Sequence, residues 1–306
     1  MSLAFLCPGQ ASQKVGMGLD IYNKTDLGKE YFTQANQIMN EDIQNIIFNG
    51  PEKKLKETQY TQPAIYIVSV LIGKLLIEHG VKPSCAAGHS LGEYSALTLA
   101  ESFDFATGLR IVKIRAEEMQ KAGNNTKGTM AAVLGLEDNI VSEICKTNNE
   151  GIVVAANYNA KGQVVISGES NSVKNVMKKM LKAGASKTIE LKVSGAFHSP
   201  LMIPAKEKLT QELLSIDIKD SKIPIYTNVS SKPLNKSSDI KQSLIDQLDH
   251  PVKWHQSITN MISDGVKSAL EVGPGRVLKG LSRRIDRSLD MISVESHEEI
   301  VNFQHV

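Results

Sequence analysis

The sequence predicts an α/β fold: a parallel sheet covered by helices on both faces, with a small subdomain inserted into it. Three observations carry this reading. Short apolar runs closed by Gly or Pro alternate with segments of helical periodicity, the pattern of strands buried in a parallel sheet. Between residues 126 and 194 the order becomes strand, helix, strand, strand, helix, strand, which is a split β-α-β, ferredoxin-like unit. Finally, Gly88-His89-Ser90-Leu91-Gly92 follows the apolar Cys85-Ala86-Ala87 and opens a helix expected from Glu93 to Ala100. This is G-x-S-x-G between strand and helix. The expected core is therefore residues 1–125 and 195–306, with the ferredoxin-like subdomain at 126–194.

Residues 3–7 read as a first strand, running into the loop Pro8 to Gln13. Helical periodicity covers the region from Thr33 to Asn49, and Gly50-Pro51 breaks it. Ile65, Val68, Ile72, Leu75 and Leu76 recur at helical spacing in a segment from Gln62 to His79, with Pro63 in its first turn, where a missing N–H costs nothing. A second core helix is expected from Phe105 to Lys121, and Gly123 to Gly128 reads as a linker. In the subdomain, strands are expected at Thr129–Leu134, Ile152–Asn157, Gln163–Ser167 and Lys187–Val193, and helices at Glu137–Lys146 and Asn171–Ala183. The core resumes with helices at Pro204–Leu214, Ser238–Leu248, Trp254–Asp264 and Arg276–Ile285, and strands at Ile223–Thr227, Ala269–Val272 and Met291–Val294.

Composition narrows the function classes. Hydrophobic residues at 41% against 22% charged give a globular chain with a sizeable core. A net charge of +2 and 5% aromatics argue against nucleic-acid binding. No uninterrupted run of eighteen apolar residues is present, so no membrane span is expected. The start, Met1 to Pro8, lacks a basic region and reads as a strand, not a signal peptide. Cys7, Cys85 and Cys145 are odd in number and widely spaced, which fits reduced buried thiols in a cytoplasmic protein. The histidines form no H-x-x-x-H pair, so no metal site is expected.

The chemistry centres on Ser90. Flanking glycines allow a sharp turn that exposes the hydroxyl, and the following helix directs its N–H groups to the same place. The Leu91 N–H is positioned to stabilise an oxyanion. His198, in the loop Ser194 to Pro200 where the two parts of the chain meet, is the candidate base. The order Ser then His fits an α/β-hydrolase-like core. His89 adjoins the serine but is expected to point away from it, while His250 and His255 read as structural. A third, acidic member is not evident: Asp104 and Asp138 fall in the right interval, but neither sits at a convincing strand end. A backbone carbonyl could orient the histidine instead. Arg115 lies next to Ile114, near the edge of a helix face marked by Ile111, Ile114 and Met119. It could pair with a carboxylate, although spacing alone fits an exposed arginine better. The Gln10 N–H could be a second oxyanion donor, and a turn without chemistry fits the composition equally well.

Several motifs together resemble one family. Pro8-Gly9-Gln10, Thr61-Gln62-Pro63-Ala64, Gly88 to Tyr94, Arg115, Gly195 to Ser199 and Glu271 to Gly275 are similar to those of malonyl-CoA:acyl carrier protein transacylases, in the same order, from the first strand to about Ile285. The resemblance implies Ser90 as nucleophile, His198 as base, the N–H groups of Gln10 and Leu91 as oxyanion hole, and Arg115 as the holder of the malonyl carboxylate. Gln247 matches the position whose backbone carbonyl orients the histidine, which would account for the missing acid. Ala196-Phe197-His198-Ser199 resembles the malonyl-selecting form of its loop. The implied partners are malonyl-CoA and an acyl carrier protein; no bound cofactor is implied, only the CoA thioester and the carrier's phosphopantetheine. A monomer is expected. Lys82–Tyr94 and Phe103–Arg110 look more like the free-standing enzymes that load modular polyketide synthases in trans, with the fatty-acid-synthesis enzyme as the alternative. A serine thioesterase or acyl hydrolase is a further alternative, against which Arg115 speaks.

Overall fold

The computed structural model describes residues 2–303; Met1 and residues 304–306, which the expected core also included, lie outside them. The strands, in chain order, are β1 (Ser2–Cys7), β2 (Cys85–Gly88), β3 (Gly128–Leu134), β4 (Val153–Ala160), β5 (Gln163–Glu169), β6 (Lys187–Glu190), β7 (Ile225–Tyr226), β8 (Pro233–Leu234), β9 (Val266–Val272) and β10 (Asp290–Val294). They form two sheets. The first has the order β10-β9-β1-β2-β7-β8 and is parallel except for the antiparallel β7–β8 edge. The second, β4-β5-β3-β6, is antiparallel throughout.

Alternation along the central strands separates two apolar layers. Phe5, Cys7 and Ala86 face one, with the helix Thr58–Glu78, while Ala4, Leu6, Cys85 and Ala87 face the other, with Trp254, Ile258, Leu278 and Leu281. Side chains of a strand point to opposite faces with a period of two. A strand covered on both sides therefore reads as one continuous apolar run, as β1 does.

Most expected elements are present, with boundaries moved by tertiary contacts. The helix Thr58–Glu78 starts a turn earlier than periodicity suggests, so Pro63 lies inside it. Gln120, from a neighbouring helix, accepts a hydrogen bond from the Thr58 N–H at 3.0 Å and satisfies one of the free donors at that end. This helix is long and apolar enough to cross a bilayer, yet most of its length is buried inside the fold. The periodicity between Thr33 and Asn49 belongs to two helices, Asp26–Met39 and Ile43–Asn49, separated at Asn40 by a left-handed residue (φ 53°). The helix Phe105–Asn125 absorbs the first half of the expected linker. Its Gly123 packs against the returning chain, where an added Cβ would lie 2.3 Å from the Ser194 carbonyl oxygen. That glycine permits close approach and does not mark a flexible joint. The helix expected at Arg276–Ile285 runs Val277–Ile285, and the strand expected at Ile223–Thr227 shrinks to Ile225–Tyr226.

The antiparallel sheet has the element order expected of the ferredoxin-like unit. One face packs on the helices Asp138–Lys146 and Ser170–Lys182 through Ala131, Val133, Val164, Ile166, Val141 and Val176. Met130 and Val165 join the larger core on the other face. A bulge in β4 between Ala155 and Asn157 shifts the alternation. After it, Tyr158 packs with the sheet's own helices, while Asn157 and Asn159 line a cleft against the parallel sheet. Bulges re-aim side chains in this way.

Candidate active site

The cleft lies between the carboxyl ends of β1 and β2 and the inner face of the antiparallel sheet, and is open to solvent. Gln10, Ser90, Leu91, Arg115 and His198 all line it. Ligands in open α/β sheets bind beyond the carboxyl ends of the strands for the same topological reason.

The elbow is built by close backbone packing. β2 ends at Gly88, the His89 N–H donates to the Cys7 carbonyl at 3.0 Å, and a helix begins at Gly92. A Cβ on Gly92 would lie 2.0 Å from the Cys7 carbonyl oxygen, so no other residue fits there without backbone movement. Ser90 occupies the left-handed region at φ 52°, a strained conformation for serine. Asn228 holds it there: its Oδ1 accepts from the Ser90 N–H at 2.7 Å and its Nδ2 donates to the Gly88 carbonyl at 2.6 Å.

His198 is buried, also left-handed at φ 57°, with Nε2 2.8 Å from Ser90 Oγ and Nδ1 2.9 Å from the Gln247 carbonyl oxygen. A carbonyl can only accept, so Nδ1 carries the proton and the Nε2 lone pair faces the serine. Burial, and then the positive charge of Arg115, push the imidazole down to about 3. It is therefore unprotonated at neutral pH. Neither Asp104 nor Asp138 reaches it: Asp104 caps the helix Phe105–Asn125 through the Thr107 N–H, and Asp138 opens its own helix near His255.

Arg115 is not at the edge of a helix face. The buried stripe of its helix is Ile111, Val112, Arg115, Ala116 and Met119, while Ile114 is only partly buried. The guanidinium is 1% exposed and bonds Gln62 Oε1, Ser90 Oγ at 3.0 Å and Gln247 Oε1 at 3.0 Å, lying over the Tyr94 ring at 5.4 Å. Among the described residues no carboxylate pairs with it directly, and its Nε has no partner. A buried cation without an anion is costly in isolation. Its Ser90-directed Nη2 faces a cleft wide enough for an anionic ligand.

Gln247 contributes more than its carbonyl. Its side-chain amide accepts from Arg115 and donates to the Ser90 carbonyl at 3.1 Å and to Glu93 Oε2 at 3.1 Å. The backbone N–H groups of Gln10 and Leu91 have no hydrogen-bond partner among the described residues. His89, expected to point away, lines the same cleft and bonds Asn159 Oδ1 at 2.8 Å through Nε2, tying the elbow to the antiparallel sheet. His250 and His255 lie outside the cleft lining. Gln62, Glu93 and Asn228 also belong to the hydrogen-bonded site, and sequence reasoning assigned them no role. Gln62 and Glu93 sit inside recognisable motifs, whereas Asn228 carries no local signal. Among the described residues no group of three or more His, Cys, Asp or Glu could hold a metal ion, and Cys7, Cys85 and Cys145 are buried and unpaired.

Fold and site define an α/β protein with a strained serine elbow, a Ser–His pair and a buried arginine beside it. Residues 4–297 match the acyl transferase domain family. The malonyl CoA-acyl carrier protein transacylase of Bacillus subtilis is 40% identical over 97% of this chain and 95% of its own length. A transacylase of the same name from Coxiella burnetii superposes with a TM-score of 0.95 at 35% identity, covering 98% of this chain and 96% of that one. A malonyl-transacylase solved in complex with a type II polyketide acyl carrier protein superposes at 0.94 with 36% identity, covering 98% of each chain. The chain belongs to the acyl transferase family, among the malonyl CoA-acyl carrier protein transacylases, and is an acyltransferase.

Proposed function

We propose that this protein transfers malonyl from CoA to the phosphopantetheine thiol of an acyl carrier protein, through a malonyl ester of Ser90. The observation that carries this reading is Arg115, a buried cation with no direct carboxylate partner among the described residues, 3.0 Å from Ser90 Oγ. An arginine so placed selects an acyl group ending in a carboxylate, because a guanidinium replaces carboxylate hydration with paired charged hydrogen bonds.

In the first half-reaction Ser90 Oγ attacks the thioester carbonyl while His198 Nε2 takes its proton. The carbonyl oxygen becomes an oxyanion, for which the N–H groups of Gln10 and Leu91 are the donors. The C–S bond breaks, and the proton on His198 passes to the leaving CoA sulfur. In the second half-reaction His198 takes the proton of the carrier's thiol, the sulfur attacks the ester, and Ser90 regains its proton. Gln247 keeps the imidazole oriented through its carbonyl, so the pair works without a carboxylate. The reading asks for no bound cofactor, since serine and histidine supply nucleophile and base.

The carrier protein is the finer question. The stretches Lys82–Tyr94 and Phe103–Arg110 support loading of polyketide carrier proteins in trans. Supply of fatty-acid synthesis uses the same site and differs only in the thiol donor. Incubation with malonyl-CoA, digestion and mass spectrometry test the activity: one malonyl mass is expected on the peptide carrying Ser90, followed by transfer to a carrier protein faster than to water. Release to water alone would make the protein a hydrolase. Comparing kcat/KM for a polyketide and a fatty-acid carrier protein tests the setting, and a preference for the latter would overturn the polyketide reading.

A further inference from the structure

Glu93 is fully buried one helical turn from the nucleophile, and neither half-reaction makes use of it. Its Oε2 accepts from the Asn228 N–H at 2.8 Å and from Gln247 Nε2 at 3.1 Å. These two partners are the residues that hold the site together. The Asn228 side chain fixes Ser90 and Gly88, and the Gln247 carbonyl orients His198. The same Gln247 side chain joins Glu93 to Arg115 through one amide, since its Oε1 accepts from Nη2. Glu93 is thus the counter-charge of Arg115 at one remove.

A balance of charge follows. Above roughly pH 7 the buried site of the free enzyme holds one cation, Arg115, one carboxylate, Glu93, and a neutral His198. A malonyl group adds a second carboxylate. Burying an uncompensated negative charge is unfavourable, and the usual release is a change of protonation. We infer that Glu93 is a positioning residue of this reaction that takes up a proton from solvent when a substrate carboxylate replaces it as the counter-charge of Arg115. The inference rests on the malonyl transfer proposed above.

The surroundings of Glu93 fit both states. Tyr94 adjoins it on its own helix, Arg115 faces it from the helix Phe105–Asn125, Ser243 and Gln247 from the helix Ser237–Asp246 and its end, and Asn228 from the loop after β7. Arg115 is the charged group among them, with His198 beyond Gln247. Oε1 and the adjacent Ser243 Oγ have no other hydrogen-bond partner, so this hydroxyl can donate to the ionised carboxylate and can equally accept from a proton on Oε1. Burial pushes the carboxyl up to about 7 against the pull of its donors and of Arg115. Engaging Arg115 elsewhere removes part of that pull and drives the carboxyl higher.

The test is a proton count during a single turnover. The full-length protein is mixed with malonyl-CoA in weakly buffered solution containing a pH indicator, and the ester is counted by intact mass. At roughly pH 8 the wild type takes up nearly one proton per ester formed, and at roughly pH 6, where Glu93 is already protonated in the free enzyme, it takes up few. Ionisation of the released CoA thiol gives a signal of opposite sign, so it cannot imitate the uptake. Glu93→Gln, a mimic of the protonated acid, forms the ester without uptake, and its KM for malonyl-CoA loses the rise with pH that the wild type shows. Ester formation without proton uptake in the wild type overturns this inference alone. Uptake that persists in E93Q also overturns it and assigns the proton to another group, such as His198. Absence of any ester overturns the transferase reading with it.

Discussion

Replacing Arg115 with Ala removes the one buried cation of the cleft and should collapse the preference for malonyl over acetyl. The guanidinium is 1% exposed and makes three hydrogen bonds, one of them to Ser90 Oγ. Truncating one partner of a buried, hydrogen-bonded charge pair costs about 2–5 kcal/mol. This corresponds to a fall of roughly thirtyfold to a few thousandfold in kcat/KM for malonyl-CoA. The truncation also strips the Gln62 and Gln247 side-chain oxygens of a donor, a loss felt whatever substrate is bound. The ratio of kcat/KM values for malonyl-CoA and acetyl-CoA cancels that shared part, so the ratio is the quantity to measure. Acetyl transfer should lose only that shared part, partly offset because losing the positive charge also lets the His198 imidazole become more basic. Arg115→Lys should recover only part of the preference, since an ammonium lacks the two-pronged geometry. The assay is acylation by each thioester, followed by CoA release. An equal loss on both substrates would refute the reasoning and leave Arg115 as a support of the fold.

Other outcomes follow from the same geometry. Ser90→Ala should abolish the malonyl adduct in intact-mass spectra; an adduct at any other residue would displace Ser90 as nucleophile. His198→Ala should slow acylation by roughly a hundredfold or more in single-turnover kinetics, the usual cost of losing a general base. Because the folded imidazole is held down to about 3, the wild-type acylation rate should persist to roughly pH 5, where a solvated histidine would be protonated, while the stability this histidine contributes above its unfolded pKa declines as pH falls from about 6.5 toward 3; a rate that drops by half near 6.5 would contradict the burial argument. Gly92→Ala should lower stability by at least about 1–3 kcal/mol in thermal denaturation, since its Cβ would meet the Cys7 carbonyl at 2.0 Å. Arg283 and Arg287 are exposed but do not share one helix, which ends at Ile285; reversing both to Glu should weaken transfer to an acidic carrier protein at low salt, and unchanged transfer would make them plain surface.

What the sequence determined by itself is local. The apolar runs of β1 and β2, the six-element order of the antiparallel unit and the glycines around Ser90 are each written within a few consecutive residues, because strand burial, helix periodicity and tight turns depend on neighbours along the chain. Local motifs single out Ser90 and His198, while Arg115 and Gln247 are singled out only through the family resemblance. What tertiary structure decided is everything that joins distant residues. Ser90 and His198 are 108 positions apart and meet at 2.8 Å. Arg115 looked like a residue at the rim of a helix face until Gln62 and Gln247, from two other parts of the chain, proved to solvate it inside the fold. Asn228 grips the elbow from 138 positions away with no motif to announce it. The β4 bulge turns Asn157 and Asn159 into the cleft against the alternation of their own strand. Protonation belongs to this second group as well: the same glutamate and histidine types that titrate freely in water are moved in opposite directions here, Glu93 up and His198 down, because burial penalises whichever form is charged and only the assembled fold supplies the burial.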